Sequence, residues 1–265
     1  MRRLKHYIDL EKAYLRLGFY TFTEYPLDSV LWAVSMLARE ATGFIGVILI
    51  AKTLGGLGGW NFYAVCILFA MAMIPDALGQ SFMDSVWNIG GTYIRKGGFD
   101  TLMVRPAPIL MQLLGQRFNM QALVTFTTAI LILVYGWIHA GIALTVGNIL
   151  FVLECIIFGT LLNTSVYLFF NSLNFWLVQG SDIANLVLTL RQFAKYPLHI
   201  FPQAIRFTMT FVIPFGFIGY YPAAWLLGKT DLNLPFILPA AALITAAAAG
   251  VIWRFGIKGY NSTGT

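Results

Sequence analysis

The sequence predicts an all-α integral membrane protein with six transmembrane helices. Hydrophobic residues make up 58% of its 265 residues and charged residues 11%, whereas soluble domains carry about 25% charged residues. Mean hydropathy is +0.75. The range 118–190 contains no Lys or Arg, and its only carboxylates are Glu154 and Asp182. Because a spanning helix needs about 20 mostly apolar residues, this range alone has room for about three spans.

We expect one transmembrane domain over residues 1–265. Its spans are predicted at 30–54, 61–87, 118–138, 144–170, 175–193 and 234–255. Residues 1–25 mix charged and apolar side chains, and Leu4, Ile8, Leu15 and Phe19 recur at helical steps. This pattern is typical of an amphipathic helix lying at the membrane surface. The N-terminus lacks the apolar core and cleavage site of a signal peptide, so the first span is expected to direct insertion.

Charge placement favours six spans with both termini in the cytoplasm. In that arrangement most Lys and Arg residues fall on the cytoplasmic side, as the positive-inside bias requires. A seventh span would move Arg254 and Lys258 outside. The predicted location is therefore the inner (cytoplasmic) membrane, crossed several times.

The range 196–228 is apolar but rich in proline. Proline inside a helix removes a backbone hydrogen bond and clashes with the preceding turn, at about 3 kcal/mol or more. Unsatisfied backbone is tolerated only where protein or a water-filled cavity covers it. We therefore predict a re-entrant segment that enters from the extracytoplasmic side and returns, forming a gate. A kinked ordinary span is the alternative. The candidate gate residues are Pro197, Pro202, Pro214, Tyr221 and Pro222.

A polar interruption separates the second and third spans. Within it, residues 100–104 are followed by Pro106 and Pro108 and predict a short cytoplasmic helix, ended by the prolines, inside the segment 93–112. Its apolar residues Phe99, Leu102 and Met103 are expected to be exposed and to need a partner surface. A solvated loop without a partner is the alternative.

Intramembrane charges are the other candidate functional residues, because a charge at mid-bilayer costs at least about 2.5–3.5 kcal/mol and is usually paired or faces a cavity. Arg39 and Asp76 are predicted at similar depth, roughly 12–14 Å from the cytoplasmic end, so we expect them to pair. The pair either fixes helix packing or lines a substrate path. Glu154 has no obvious partner, and both cavity-lining and a hydrogen-bonded structural role remain open.

No catalytic, cofactor-binding or metal-binding residues are predicted. The sequence has no G-x-S-x-G, no H-E-x-x-H and no phosphate-binding G-x-x-x-x-G-K-[ST]. His6, His139 and His199 have no carboxylate or Cys at metal-ligand spacing. Any ATP hydrolysis would therefore belong to a partner, and nucleic acid is not expected to bind.

The order of several segments resembles the permease subunit of a type-2 ABC transporter, in the branch described as daunorubicin-exporter-like. The resemblance covers nearly the whole chain. Its segments are 98–106 (GFDTLMVRP), 174–176 (NFW), 196–202 (YPLHIFP), 211–214 (FVIP), 221–228 (YPAAWLLG) and 259–264 (GYNSTG).

The resemblance implies a six-span half-transporter that pairs with a second copy or a sister permease and binds two cytoplasmic ATPase subunits. ATP and magnesium would bind to those subunits. It also implies that the segment after the second span is a coupling helix and that the loop between the last two spans is re-entrant. The coupling residues would be Gly98, Phe99, Asp100, Leu102, Met103 and Arg105.

The function expected from the sequence is ATP-driven export of a hydrophobic or amphipathic compound such as a drug, lipid or glycolipid. The main alternative is a secondary transporter or channel without an ATPase, a class that favours inverted repeats. The two halves of this chain show no convincing match. A structural membrane anchor is a third possibility, but it leaves the proline-broken segment unexplained.

Overall fold

The computed structural model describes residues 2–53, 57–115, 118–177 and 179–260. The regular structure within these ranges is helical throughout, which confirms the all-α prediction. In chain order the helices are α1 (Arg2–Glu24), α2 (Pro26–Thr53), α3 (Phe62–Trp87), α4 (Gly98–Met103), α5 (Ile109–Gly115), α6 (Gln121–His139), α7 (Val146–Ser172), α8 (Gly180–Arg191), α9 (Gln203–Phe207), α10 (Tyr220–Leu226) and α11 (Leu234–Gly259). Short 3-10 and π-helical turns connect several of them.

Helix α3 lies at the centre of the bundle. It is capped by Asn61, whose side chain accepts a 2.9 Å hydrogen bond from the Ala64 amide. Every residue of 64–74 is buried, and α6, α7 and α10 pack around the helix. A helix that is apolar on all sides is stable only when other elements enclose it. The core of the bundle is therefore organised around α3.

Helices α3 and α7 are in close contact where a proline meets a glycine. A Cβ added to Gly159 of α7 would lie 2.9 Å from Cγ of Pro75 on α3. Next to this contact, Asn163 Nδ2 donates a 3.4 Å hydrogen bond to the Pro75 carbonyl. A larger residue at Gly159 would push the two helices apart.

We call the end of the bundle where α3, α7 and α11 terminate the basal end, and the end where they begin the apical end. At the basal end the rings of Trp87 and Tyr167 lie 4.4 Å apart, which joins the last turns of α3 and α7. Phe175, which follows α7, lies 5.6 Å from Trp253 near the end of α11. The two ends serve as the reference for the remaining elements.

Five described helices are long and apolar enough to cross a membrane: Pro26–Leu49, Phe62–Met83, Ala122–His139, Val146–Phe175 and Leu234–Gly259. A sixth candidate is the bent pair Gln203–Val212 and Phe215–Leu226, whose halves meet at 79°. Five to six candidate spans agree with the predicted multi-pass membrane fold.

The fifth predicted span differs from the expectation of one helix over 175–193. Helix α8 has 12 residues, or about 18 Å, which is shorter than the roughly 30 Å hydrocarbon core. It starts only at Gly180 and gives way to the 3-10 turn Gln192–Lys195. The chain nevertheless runs from the basal end, where Trp176 lies beside Gly259, to the apical end, where His199 lies beside Gly58.

Candidate functional site

Four buried charged residues meet inside the bundle. Glu40 comes from α2 and Asp76 from α3, while Arg191 ends α8 and Lys195 ends the following 3-10 turn. Each is less than a tenth exposed. Charges at such positions must be paired, because burying an isolated ion is strongly unfavourable. The structure pairs them in two couples.

The first couple joins α2 to the 3-10 turn after α8. Lys195 Nζ donates a 2.6 Å hydrogen bond to Glu40 Oε2 and lies 5.0 Å from the centre of the Phe69 ring. The other carboxylate oxygen, Glu40 Oε1, accepts a 3.3 Å hydrogen bond from Nε of the adjacent Arg39. Glu40 therefore carries two cationic partners, one buried and one partly exposed.

The second couple joins α3 to α8. Asp76 forms an ion pair with Nη1 of Arg191, and its Oδ2 accepts a 2.8 Å hydrogen bond from Gln80 Nε2. The Arg191 guanidinium lies 5.8 Å from the centre of the Tyr167 ring. Together the two couples hold α2 and α3 against the end of α8.

The predicted pair between Arg39 and Asp76 is wrong. Asp76 is bound by Arg191, and the side chain of Arg39 is 50% exposed and contacts Glu40. Arg191, near the end of the predicted fifth span, and Lys195, just after it, were not singled out from the sequence, and both lie inside the bundle. The expected pair was based on depth along each helix alone, and depth does not tell which face of the helix a side chain is on.

The sequence did contain a signal for the correct partners. On α2 the residues Met36, Glu40 and Val47 are buried, and they follow the three- and four-residue steps of one helix face. On α8 the buried residues Ala184, Val187 and Arg191 do the same. Reading each charge on the apolar face of its own helix would have marked Glu40 and Arg191 as buried.

A cavity of about 590 Å³ opens beside the charged residues, between α2, α3 and α8. Arg39, Gln80 and Arg191 line it, so the cationic member of the second couple forms part of its wall. The remaining lining residues are Asp28, Trp32, Met36, Trp87, Asn119, Leu188 and Gln192. Because α3 ends at Trp87, the cavity lies in the basal half of the bundle. We call it the basal cavity.

Glu154 lies in α7 and is not joined to either couple. Its Oε1 is enclosed, and among the described residues it has no hydrogen-bond partner. The two roles considered for this carboxyl, cavity-lining and structural, therefore both stay predictions.

The predicted short helix after the second span is present as α4. It is anchored by an aromatic cluster in which Phe99 lies 5.3 Å from Phe175, 6.1 Å from Trp253 and 4.8 Å from Tyr260. The exposed fraction is 0% for Phe99 and 1% for Leu102. The expectation that these two residues face a partner is therefore wrong: their apolar side chains fix α4 to the ends of α7 and α11.

The surface that α4 leaves open lies at its C-terminal end. Met103 is 49% and Val104 is 84% exposed, and Arg105 and Pro106 are exposed as well. Gln112 of α5 holds this turn in place, because its Nε2 donates to the carbonyls of Leu102 at 3.0 Å and Ala107 at 2.8 Å. We call residues 103–106 the basal turn.

Gly98 and Asp100, the other predicted coupling residues on α4, lie at the start of the helix. A Cβ at Gly98 would lie 2.8 Å from the Thr92 carbonyl, so the start of α4 packs closely on the preceding π-helical turn Ile89–Ile94. Burial raises the pKa of Tyr260, and the nearby Asp100 carboxylate raises it further. Tyr260 therefore stays neutral at physiological pH beside the start of α4.

The range 196–228 is broken as its prolines predict. Pro197 and Pro202 precede short helical turns, and Pro214 lies at the bend between the π-helical turn Thr208–Val212 and the 3-10 turn Phe215–Phe217. Pro222 lies in the first turn of α10, where proline is tolerated. Tyr221 Oη and Thr210 Oγ1 share a 2.9 Å hydrogen bond that ties the two halves together.

Both ends of this range lie at the apical end of the bundle. The His199 ring lies 6.5 Å from Trp60, and Lys229 Nζ donates a 3.1 Å hydrogen bond to the Gly59 carbonyl. Between them the bend reaches into the bundle, where Phe215 lies 6.3 Å from Tyr167 and Gly219 packs on Ala72 and Ala194. This geometry favours a re-entrant hairpin, whose role as a gate stays a prediction.

A multi-pass helical bundle with buried ion pairs beside an open cavity is typical of a membrane transport protein. Residues 37–264 match the family described as ABC-2 family transporter protein. The match covers most of the chain, and the chain belongs to that family. It is accordingly the membrane part of an ABC transporter, which works with an ATPase subunit. No curated protein and no solved structure matches the sequence.

Proposed function

We propose that this chain is the transmembrane subunit of an ATP-driven exporter that moves a hydrophobic or amphipathic compound out of the cytoplasm. Family membership supports the class, and the observation that carries the proposal is α4 with its basal turn. A helix fixed to the core by Phe99 while exposing Met103 and Val104 suits the transmission of force from a cytoplasmic partner.

The proposed complex contains two ATPase subunits and two permeases, the second being another copy or a sister chain. ATP and magnesium bind to the ATPase subunits, and this chain supplies no catalytic residue. The basal end faces the cytoplasm of a cell bounded by an inner membrane, so both termini lie inside. The daunorubicin-exporter-like resemblance of the segments 98–106 and 196–202 supports export as the direction of transport.

Each predicted coupling residue has a distinct proposed role. Phe99 and Leu102 fix α4, while Gly98 and Asp100 shape its start. Met103 and Arg105 offer an apolar and a cationic contact to the ATPase. Val104, which the sequence did not single out, is the most exposed apolar residue of the turn.

Co-purification tests the proposal. The full chain is expressed with a candidate ATPase subunit from the same genome, and ATPase recovery is measured with the chain carrying Val104→Asp or Met103→Asp. We expect recovery to fall about tenfold, since a charge placed in an apolar contact costs about 1–3 kcal/mol. The matched control is Leu144→Asp, which changes an exposed apolar residue at the apical end. Equal recovery from all variants would contradict the proposed docking surface.

A further inference from the structure

We propose that the basal cavity binds the acidic group of an anionic amphiphile, with Arg39 and Arg191 as its cationic ligands. The inference rests on the proposed export function and deepens it by naming the substrate class. Three observations carry it: the charge distribution at the inner end of the cavity, the position of Arg191 in its wall, and the mixed polar and apolar walls.

The charges are balanced over the whole cavity but not at its inner end. There Arg39, Arg191 and Lys195 face the carboxylates Glu40 and Asp76, while the third carboxylate, Asp28, lines the cavity nearer the start of α2. Glu40 and Asp76 each already have a buried cation of their own, so Arg39 supplies a second positive charge to Glu40. Its side chain is half exposed and lines the cavity. An anionic group entering the cavity would compensate this surplus charge in a region of low dielectric constant.

Arg191 presents the second binding group. Its side chain is 8% exposed, it lines the cavity, and its Nη1 is taken by Asp76. A guanidinium offers several N–H groups in a planar fork that matches carboxylate and phosphate oxygens. Because Arg191 lines the cavity, its guanidinium supplies a second cationic contact for an anionic group bound there.

The walls indicate an amphiphile rather than a small inorganic anion. Trp32 and Met36 of α2, Trp87 of α3 and Leu188 of α8 form the apolar part, and Gln80, Asn119 and Gln192 form the polar part. The volume of about 590 Å³ lies within the 300–1,000 Å³ typical of small-molecule sites. The aromatic and aliphatic side chains suit an alkyl or ring system bound next to the acidic group.

Asp28 gives the cavity a direction. It lies 11 positions before Arg39 on α2, or about 16 Å along the axis, and also lines the cavity. The cavity is therefore negative towards the start of α2 and positive towards Arg39. An acidic group is repelled at the first position and attracted at the second, which orients the amphiphile with its acid innermost.

Photolabelling of the full chain in phosphatidylcholine nanodiscs tests the proposal. The probes are dodecyl phosphate, dodecanol and dodecyltrimethylammonium, each with a diazirine in the alkyl chain, and labelled residues are mapped by mass spectrometry. We expect dodecyl phosphate to label peptides that contain Trp32 or Leu188 about tenfold more than either other probe, the factor expected for one charge-assisted hydrogen bond. Equal labelling by all three probes would overturn the proposal without any variant.

Variants at Arg39 test whether its positive charge attracts the phosphate group of the probe. Arg39→Gln should lower labelling by dodecyl phosphate about tenfold and leave labelling by dodecanol unchanged, whereas Arg39→Lys should retain most of it. The matched control is Arg254→Gln, which removes an exposed Arg near the basal end of α11 and should have no effect. Equal losses in Arg39→Gln and Arg254→Gln would overturn the role of the cavity.

Competition separates the ligand sources. Unlabelled dodecyl phosphate should displace the probe, and inorganic phosphate at the same concentration should not; equal displacement would overturn the amphiphile class. This assay needs no ATPase. If the basal-turn variants lose the ATPase as the proposed function expects, but the three probes label the chain equally, only the substrate class would be rejected. Charge-selective labelling without ATPase association would reject only the exporter.

Discussion

Lys195 Nζ lies 2.6 Å from Glu40 Oε2 and thereby joins the 3-10 turn after α8 to the middle of α2. The two side chains are 155 positions apart in sequence and both are buried. Helix α2 packs mainly on α6 and makes few contacts with α3, so this ion pair adds a link between α2 and the turn that follows α8.

Replacing Lys195 with Met should destabilise the protein by about 3–5 kcal/mol, because it leaves a buried carboxylate with only the partly exposed Arg39. The double variant Glu40→Gln/Lys195→Met should recover part of this loss, since no unpaired buried charge remains. Thermal unfolding in detergent measures both. Lys258→Met, at an exposed position of α11, is the control and should leave the melting temperature unchanged. Additive losses in the double variant would argue against the pair.

The partner of Asp76 can be identified by rescue. Asp76→Asn should lower stability by about 3–5 kcal/mol, because Arg191 is then buried without its counter-ion. Adding Arg191→Gln should restore part of the melting temperature, whereas adding Arg39→Gln should not. Rescue by Arg39→Gln alone would return the pairing to the one expected from sequence. Asp231→Asn, an exposed carboxylate before α11, serves as the control.

Hydropathy located the spans α2, α3, α6, α7 and α11, because a run of about twenty mostly apolar residues is typical of a membrane-spanning helix. The partners of Glu40 and Asp76 were missed because Arg191 and Lys195 lie at and beyond the end of an apolar run. The helical steps of α8 mark Arg191 as buried, but Lys195 follows α8, and only the packing of its 3-10 turn on α3 places it in the interior.

The same limit applied to α4. Apolar residues in a short polar segment indicate contact with something, but the contact can be with a partner or with the chain itself. For Phe99 the contact is the chain itself, since the cluster includes Trp253 and Tyr260, more than 150 positions away. Pairing across such distances does not follow from local pattern.

Phe99→Ala should loosen α4 from the bundle and destabilise the protein by about 3–5 kcal/mol, the range for truncating a fully buried Phe. Hydrogen exchange of the amides in 98–103 should accelerate, since they depend on this anchor. Met103→Ala, on the exposed side of the same helix, is the matched control and should alter neither quantity. Unchanged exchange in Phe99→Ala would show that Leu102 and Gln112 hold α4 without the aromatic cluster.

The course of the range 196–228 can be settled by labelling single cysteines at its two ends. Gln203→Cys and Asp231→Cys both lie at exposed positions of the apical end, and Lys258→Cys lies at the basal end. Cys66 and Cys155 are buried and are replaced by Ala to remove background. A re-entrant hairpin predicts that a membrane-impermeant maleimide labels Gln203→Cys and Asp231→Cys in intact cells, and labels Lys258→Cys only after permeabilisation. A continuous span would instead place Gln203 and Asp231 on opposite sides, so that only one of the two reacts from outside. That result would contradict the re-entrant hairpin and the gate that Pro202, Pro214 and Tyr221 are predicted to form.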